Sequence, residues 1–508
     1  MRSGALALAL LLAACDGGVR AVFVPQCGVP VPLTAAEVET VLAQGAQQAL
    51  ADGNAYALTV VNRDGVVVGS FQMAGAPLAA VDECRRKART AAFLSSNQHA
   101  FNTRTALFII QDHFPPGLRN TPGGPLYGVQ FSSLDCSDVV GEANPASLMT
   151  ANGLSGDFGS MPLYKGGCLV GGVAADGGAD PEAEEGAAWA ASAGFRPDPL
   201  IFGSNIFIDG VRLAFVERTP PDLAPAPPLA AFAGAVLVAP AAAPPDLAFP
   251  LGVFGGLDCE IRYAVIDSPS AAATKLVAAD VAAMLDAGAA LSDRLRAGIR
   301  RPLGSAARVF IAVTDLDGVI LGCIRTPEAT LFSFDVAIQK ARTAAFFSSD
   351  TAAFTTRGLG FLAQGFFPPG IDGAPPGPLG GLQAELSANC EPAALPLQNG
   401  ITVFPGGVPV YKGGVLVGAI GVSGDGVDQD DMVASAGAEL FPPPPGVRAD
   451  ELAEAAAVAE LRARVADIAA ATADPFILAA AATADARLAL GLQGIRLPFV
   501  KFPRQPFR

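Results

Sequence analysis

Histidine is almost missing from this chain: two residues in 508, His99 and His113. That scarcity leaves no histidine-rich metal cluster, and no nucleophile–base set or dinucleotide fingerprint appears in its place. Charge is sparse as well. Charged residues make up 16% of the chain, and acids outnumber bases to a net charge of −15. Phosphate recognition needs clustered Lys and Arg, so this balance argues against nucleic acid as a partner. Long apolar runs are also lacking. A membrane helix needs about 20 apolar residues, and the stretch LAAFAGAVLVAPAAA is interrupted and flanked by proline.

What is present is apolar and small. Half of the residues are hydrophobic, with abundant Ala, Gly and Pro, a composition that suits buried globular domains joined by Pro-rich segments. The length predicts two or more domains. The chain starts MRSGALALALLLAACDGG: a basic residue, a short apolar core, then small residues before a cysteine. The apolar core is too short to span a bilayer and reads as a secretory signal. Ala13 and Ala14 before Cys15 resemble a bacterial lipobox, which implies lipidation of Cys15 and an exported, membrane-anchored lipoprotein in the periplasm or on the outer surface. The alternative is a plain secreted protein.

The strongest signal is repetition. KARTAAFLSSNQHAFNTRTALFIIQDHFPPG, from Lys87 to Gly117, aligns without gaps to KARTAAFFSSDTAAFTTRGLGFLAQGFFPPG, from Lys340 to Gly370, with 19 of 31 positions identical. AYALTVVNRDGVVVGSF matches ARVFIAVTDLDGVILGCI upstream, and MPLYKGGCLVGGVAADG matches VPVYKGGVLVGAIGVSG downstream. IDGVRLAFV and LQGIRLPFV agree near the copy ends. A complete domain is duplicated.

Each copy reads the same way. A first helix carries apolar residues at helical spacing, with Thr34 as N-cap in copy 1. Two Val/Ile-rich runs then meet at Asp64-Gly65 or Asp317-Gly318, a hairpin signal because the tight turn needs positive φ. KARTAA predicts a helix whose small Ala side chains allow close packing, ended by FPPG. A second hairpin turns at YKGG, followed by a short helix. The predicted class is α+β: two tandem copies of an antiparallel sheet covered by helices. The expected boundaries are a signal and lipobox over 1–15, domain 1 over 27–218, a Pro/Ala-rich, semi-rigid linker over 219–250, and domain 2 over 256–508. Domain 2 carries an Ala-rich helical insertion over 448–490.

Cysteine positions support export. Cys136 and Cys390 lie at nearly matching places, and Cys27 and Cys259 each precede the first helix of their copy. In an oxidising compartment, Cys27–Cys136 and Cys259–Cys390 are the expected disulfides. Cys84, Cys168 and Cys323 read as small buried hydrophobes. No CxxCH occurs, which excludes covalent c-type haem attachment.

Taken together, an N-terminal helix, a hairpin on DG, a KA.TAA helix and GGVPVYKGGVLVGAIGVSGDGVDQDDMVASAG, from Gly406 to Gly437, resemble the GlcG/HbpS-like haem-binding family. Copy 1 departs at GGVAADGGADPEAEEG. The resemblance implies compact domains around an antiparallel sheet, self-association, and haem as the ligand, with haem degradation in some members. Haem iron takes His, Met, Cys or Tyr. His99 and His113 align with Ala352 and Phe366, so histidine is not a ligand shared by the copies. Either copy 1 alone binds through a histidine, with His113 the better candidate and His99 reading as solvated, or the ligand is Tyr164/Tyr411 or a weaker oxygen donor. Those tyrosines read equally as hairpin-rim aromatics.

The retained Lys87/Lys340, Arg89/Arg342, Thr90/Thr343, Arg104/Arg357 and Lys165/Lys412 could receive carboxylates such as haem propionates, or pair internally with Asp and Glu. Three functions follow as expectations. One is capture of haem or another planar tetrapyrrole beside the KARTAA helices. The second is a non-catalytic scaffold in which the fused copies mimic a homodimer. The third is haem degradation, for which no catalytic residue is apparent.

Overall fold

The computed structural model describes residues 27–128, 154–389, 395–502 and 506–508. The signal segment with Cys15, and also Cys136 and Cys390, lie outside the described residues.

Copy 1 begins with α1 (Ala35–Ala51), whose start is set by a capping box. Thr34 Oγ1 accepts from the Glu37 N–H, and the Glu37 carboxylate accepts from the Thr34 N–H, satisfying two of the orphan donors at a helix start. Strands β1 (Ala57–Asn62) and β2 (Val67–Met73) pair antiparallel across the Asp64-Gly65 turn. Gly65 takes φ +80° and Gly318 takes φ +75°, the backbone that DG was expected to supply. The KARTAA segment lies in α2 (Ala80–Phe93), followed by α3 (Thr103–Ile109), β3 (Ser160–Lys165), β4 (Cys168–Asp176) and α4 (Pro181–Ala191). A two-residue hairpin, β5 (Phe207–Ile208) with β6 (Val211–Arg212), closes the copy.

Strand β7 (Gly234–Val238) arises inside the segment expected to be linker. It pairs with β2 and completes a five-stranded antiparallel sheet of order β3-β4-β1-β2-β7. The reason is local: GAVLV is a β-favouring run with no proline, so it can join a ladder that its Pro-rich flanks cannot.

Copy 2 opens with the hairpin β8 (Leu251–Phe254) and β9 (Leu257–Tyr263), then α5 (Ala278–Arg294), β10 (Phe310–Thr314), β11 (Ile320–Arg325) and α6 (Ser333–Phe347). After α7 (Thr356–Leu362) and α8 (Gly380–Asn389) come β12 (Gly407–Lys412), β13 (Val415–Ser423) and α9 (Val427–Ala438). Its sheet runs β12-β13-β10-β11-β9-β8. The first four strands of that order, β12-β13-β10-β11, repeat β3-β4-β1-β2 of copy 1 strand for strand. The fold is α+β with antiparallel sheets, as expected.

Both sheets are covered on both faces. In copy 1, α1 and α4 pack together over one face and α2 over the other. Every residue of β1 is consequently buried. Small residues permit close approach: a Cβ on Gly172 of β4 would collide with the Ala88 carbonyl of α2, and one on Gly421 of β13 with the Ala337 carbonyl of α6. The Ala-rich stretch forms α10 (Glu454–Ala471) and α11 (Pro475–Leu488). Leu461, Ile468 and Ile477 share a core with Phe346, Phe347 and Leu382 of their own copy.

The two copies dock through their KARTAA sides. Cys84, Phe93 and Leu94 of copy 1 lie in one continuous core with Phe310, Phe332, Phe334 and Ile338 of copy 2, and the Phe332 N–H donates to the Phe93 carbonyl at 3.3 Å. Polar ties flank this core. Arg300 is fully buried, bonded to Asp425 at 3.0 Å within its copy and reaching Ser96 Oγ of the other at 3.1 Å. Arg63 holds Glu328 across the seam at 3.0 Å.

Candidate functional site

Lys87 of α2 is the centre of a cluster of carboxylates in copy 1. Its ammonium is fully buried and meets Glu184 at 2.7 Å, Asp157 at 2.9 Å and Asp176. Three carboxylates at this spacing could hold a metal ion, but the lysine ammonium already provides the cation. Burial opposes the Lys87 charge, yet Glu184 and Asp176 outweigh it and hold its pKa above that of a free lysine.

Lys340, its aligned partner, has a different shell. Asp430 stands in for Glu184 at 2.9 Å, the Val422 carbonyl accepts at 2.7 Å, and the Phe404 ring lies 4.8 Å away. Ser423 and Phe404 occupy the places of Asp176 and Asp157. With one acid left, burial dominates and depresses the Lys340 pKa, while it pushes Asp430 up to about 7.

The other retained residues are also consumed internally. Arg104 forks onto Glu185 at 2.7 and 3.0 Å, and Arg357 pairs with Asp431 and with Asp428 at 2.6 Å. Lys165 binds Glu37 at 2.8 Å, and Lys412 binds Asp280 at 2.5 Å. Arg89 donates to the Gly65 carbonyl at 3.1 Å, and Arg342 to that of Gly318 at 2.8 Å, so each braces its DG turn. Thr90 and Thr343 accept from the N–H groups of Ser155 and Thr402 at 2.8 and 3.0 Å. Of the two readings of these residues, internal pairing describes this geometry.

Both tyrosines are buried. Tyr164 Oη donates toward the Ser96 and His99 carbonyls at 2.7 and 2.9 Å, and Tyr411 Oη toward Ser349 and Ala352 at 2.8 and 3.2 Å. Burial raises the pKa of each, which opposes the phenolate an iron ligand needs.

His99 is not solvated; it is fully buried. Ser96 donates to its Nδ1 at 2.8 Å and its Nε2 donates to the Leu94 carbonyl at 3.0 Å. Burial, with Arg300 nearby, keeps this imidazole neutral by lowering its pKa well below the usual value. The Ser, Asn and Gln around it in sequence suggested solvent, but Leu94, Ser96, Phe101 and Tyr164 of its own copy enclose it, with Arg300 of copy 2 nearby.

His113 sits at the seam with its side chain 18% exposed. Its ring stacks on Phe366, its own aligned counterpart, at 4.9 Å and 13°. Contact of a position with its counterpart is the signature of an isologous interface. Nδ1 faces the Thr121 carbonyl at 2.6 Å and Nε2 faces Asp372 Oδ1 at 3.1 Å. Asn120 and Asp372 bond reciprocally at 2.9 and 3.0 Å beside it.

Among the described residues, the opposite copy packs against the KARTAA helices, and the cavity there between Leu94, Phe101, Phe332 and Asp430 is about 50 Å³, against roughly 300–1,000 Å³ for ordinary ligand sites. The disulfide expectation is also corrected: Cys27 joins Cys168, not Cys136, and Cys259 is a buried free thiol not joined to Cys390. Chain topology brings the start of β4 beside the segment before α1, which sequence spacing does not reveal. Its one legible trace is that Cys168 faces Val415 in the repeat. The acids Glu184, Glu185, Asp430 and Asp431 went unnoticed too, although adjacent acid pairs at matching places were visible.

Comparison with known proteins agrees with the duplicated architecture. A family model described as "Haem degrading protein HbpS-like" matches residues 33–193 and 282–439. A Citrobacter freundii protein, described as an uncharacterized 15.0 kDa protein in the dhaT-dhaS intergenic region, is 31% identical over 134 residues, covering 26% of this chain and 75% of that protein. Among solved structures, Klebsiella pneumoniae protein ORFY is 21% identical, over 34% of this chain and 96% of that chain, with a TM-score of 0.24. A PduOC:Heme complex is 24% identical, over 33% and 96%, with a TM-score of 0.24. HbpS itself is 19% identical, over 34% and 96%, with a TM-score of 0.23.

Proposed function

This chain belongs to the family described as Haem degrading protein HbpS-like, and from that premise we propose that it binds haem as an exported, lipid-anchored protein built from two fused family domains. The carrying observation is the family match, which spans both copies and more than half of the chain. The Cys27–Cys168 bond supports an oxidising, extracytoplasmic setting.

The residues of this structure do not make a ready haem site. His99, Tyr164 and Tyr411 are buried with their polar atoms engaged. Both nitrogens of His113 face acceptors, so neither nitrogen is directed at a ligand. Among the four, His113 alone meets solvent appreciably. Haemin titrated into the full chain should give a saturable Soret shift. Replacement of His113 by Ala changes that spectrum if this residue supplies the iron ligand, and the absence of any shift removes the proposal. Lipid anchoring is tested separately: detergent partitioning should be lost in Cys15→Ser.

A second reading has its own support. The retained basic residues are spent on internal pairs, and the seam is isologous. A fused-dimer scaffold would show this geometry with no ligand at all. Size-exclusion chromatography with and without haemin separates the readings, because a scaffold assembles identically in both. Haem degradation has no residue in the described structure arranged to support it.

A further inference from the structure

A groove of about 380 Å³ opens in copy 1. Pro30 and Pro32 form one wall and Pro244 and Pro245 another, with Leu169 and Val170 between them. Cys27–Cys168 ties down the strap that carries Pro30 and Pro32, and Ala243 fixes the opposite wall by donating its N–H to the Leu33 carbonyl at 2.8 Å. The volume falls within the range of small-molecule sites.

Asn62 lines this groove and is 2% exposed. Its Oδ1 accepts the Val66 N–H at 2.8 Å, which fixes the orientation of the amide. Its Nδ2 is buried and has no hydrogen-bond partner. A buried donor left without a partner is destabilising, so this group calls for an acceptor.

Copy 2 shows what satisfies the position. The aligned residue is Asp315, whose Oδ1 accepts the Val319 N–H at 2.9 Å in the same turn. Its second oxygen accepts the Ser268 hydroxyl at 2.7 Å. There an internal group fills the role. In copy 1 no internal group fills that role, and the residue lines the groove instead.

We propose that the copy 1 groove is a binding site for a small, neutral, planar ring compound whose carbonyl oxygen accepts from Asn62 Nδ2. Flat proline walls and an aliphatic floor suit an uncharged ring. Asp246 at the rim pairs with Arg63 at 3.6 Å, so the rim offers a compensated ion pair and not a lone charge, which also suits an uncharged ring. This site is independent of the haem reading.

The probe is carbostyril, a neutral bicyclic lactam, titrated into the full-length protein and followed by saturation-transfer NMR. Saturable binding is expected. Asn62→Asp keeps the Val66 contact, removes the donor, and should weaken binding at least about tenfold, the equivalent of one hydrogen bond. Pro245→Trp, a change in an exposed wall, should block binding while leaving the melting temperature in place, which covers the case in which Asn62→Asp fails to fold. Haemin titration should be the same in both variants. No saturable binding, or binding indifferent to both substitutions, overturns the proposal.

Discussion

Lys87 and Lys340 occupy the same place in two copies of one domain, yet their pKa values move in opposite directions. Lys87 has three carboxylates around it and Lys340 has one, with a ring and a carbonyl in place of the others. Burial opposes the charge of both ammoniums and weighs more heavily on Lys340, where the opposing carboxylates are also fewer; together these decide which form is favoured. A retained residue therefore does not guarantee a retained charge state; its shell must be retained too.

The sharpest test of this comparison is removal of the amine from each copy. Lys87→Met leaves three carboxylates facing one another and should cost about 3–5 kcal/mol, read by chemical denaturation. Lys340→Met should cost less, about 1–3 kcal/mol, because Asp430 can take a proton and become neutral near pH 7. Equal losses would break the contrast.

Next in size is the bond that copy 2 lacks. Cys168→Ser opens a link closing a 141-residue separation and should cost about 2–4 kcal/mol. Reductant should reproduce the loss in the parent protein and add nothing in the variant.

Acid provides a third contrast. His99 is buried neutral, its pKa depressed below the unfolded value of about 6.5. The unfolded chain then binds the extra proton, so stability is full above about pH 6.5 and declines as pH falls toward the folded pKa, by up to about 1.4 kcal/mol per pH unit. The aligned Ala352 contributes nothing. His99→Gln should flatten the pH dependence of the melting temperature in this window; an unchanged slope would place the titration elsewhere.

The smallest effect should be the most symmetric. Tyr164→Phe and Tyr411→Phe each remove a hydroxyl that serves two carbonyls, and each should cost about 1 kcal/mol. A large difference between the two melting curves would show that the repeated hairpins are not equivalent.

Much of the fold was legible. DG and YKGG set the hairpins because their glycines supply positive φ, and Thr34 with Glu37 set the first helix. The small-residue face of KARTAA implied close packing, and α2 and α6 pack closely on their sheets. The candidate site was less legible. His99 was expected in solvent because its sequence neighbours are polar, and the tertiary contacts that enclose it, among them distant Tyr164, cannot be read from neighbours. The Cys27–Cys168 bond and the entry of β7 into a sheet depend on which distant segments meet, and local pattern carries no such information.

From the sequence alone came duplication, alternation of strand and helix, and the places of the turns, because backbone preference and hydrophobic period act over a few residues. Tertiary structure alone decided which face each copy buried, which acids met each lysine, and that one groove kept an unpaired amide. Those outcomes depend on burial and on the distance between charges far apart in the chain, and neither quantity exists until the chain has folded.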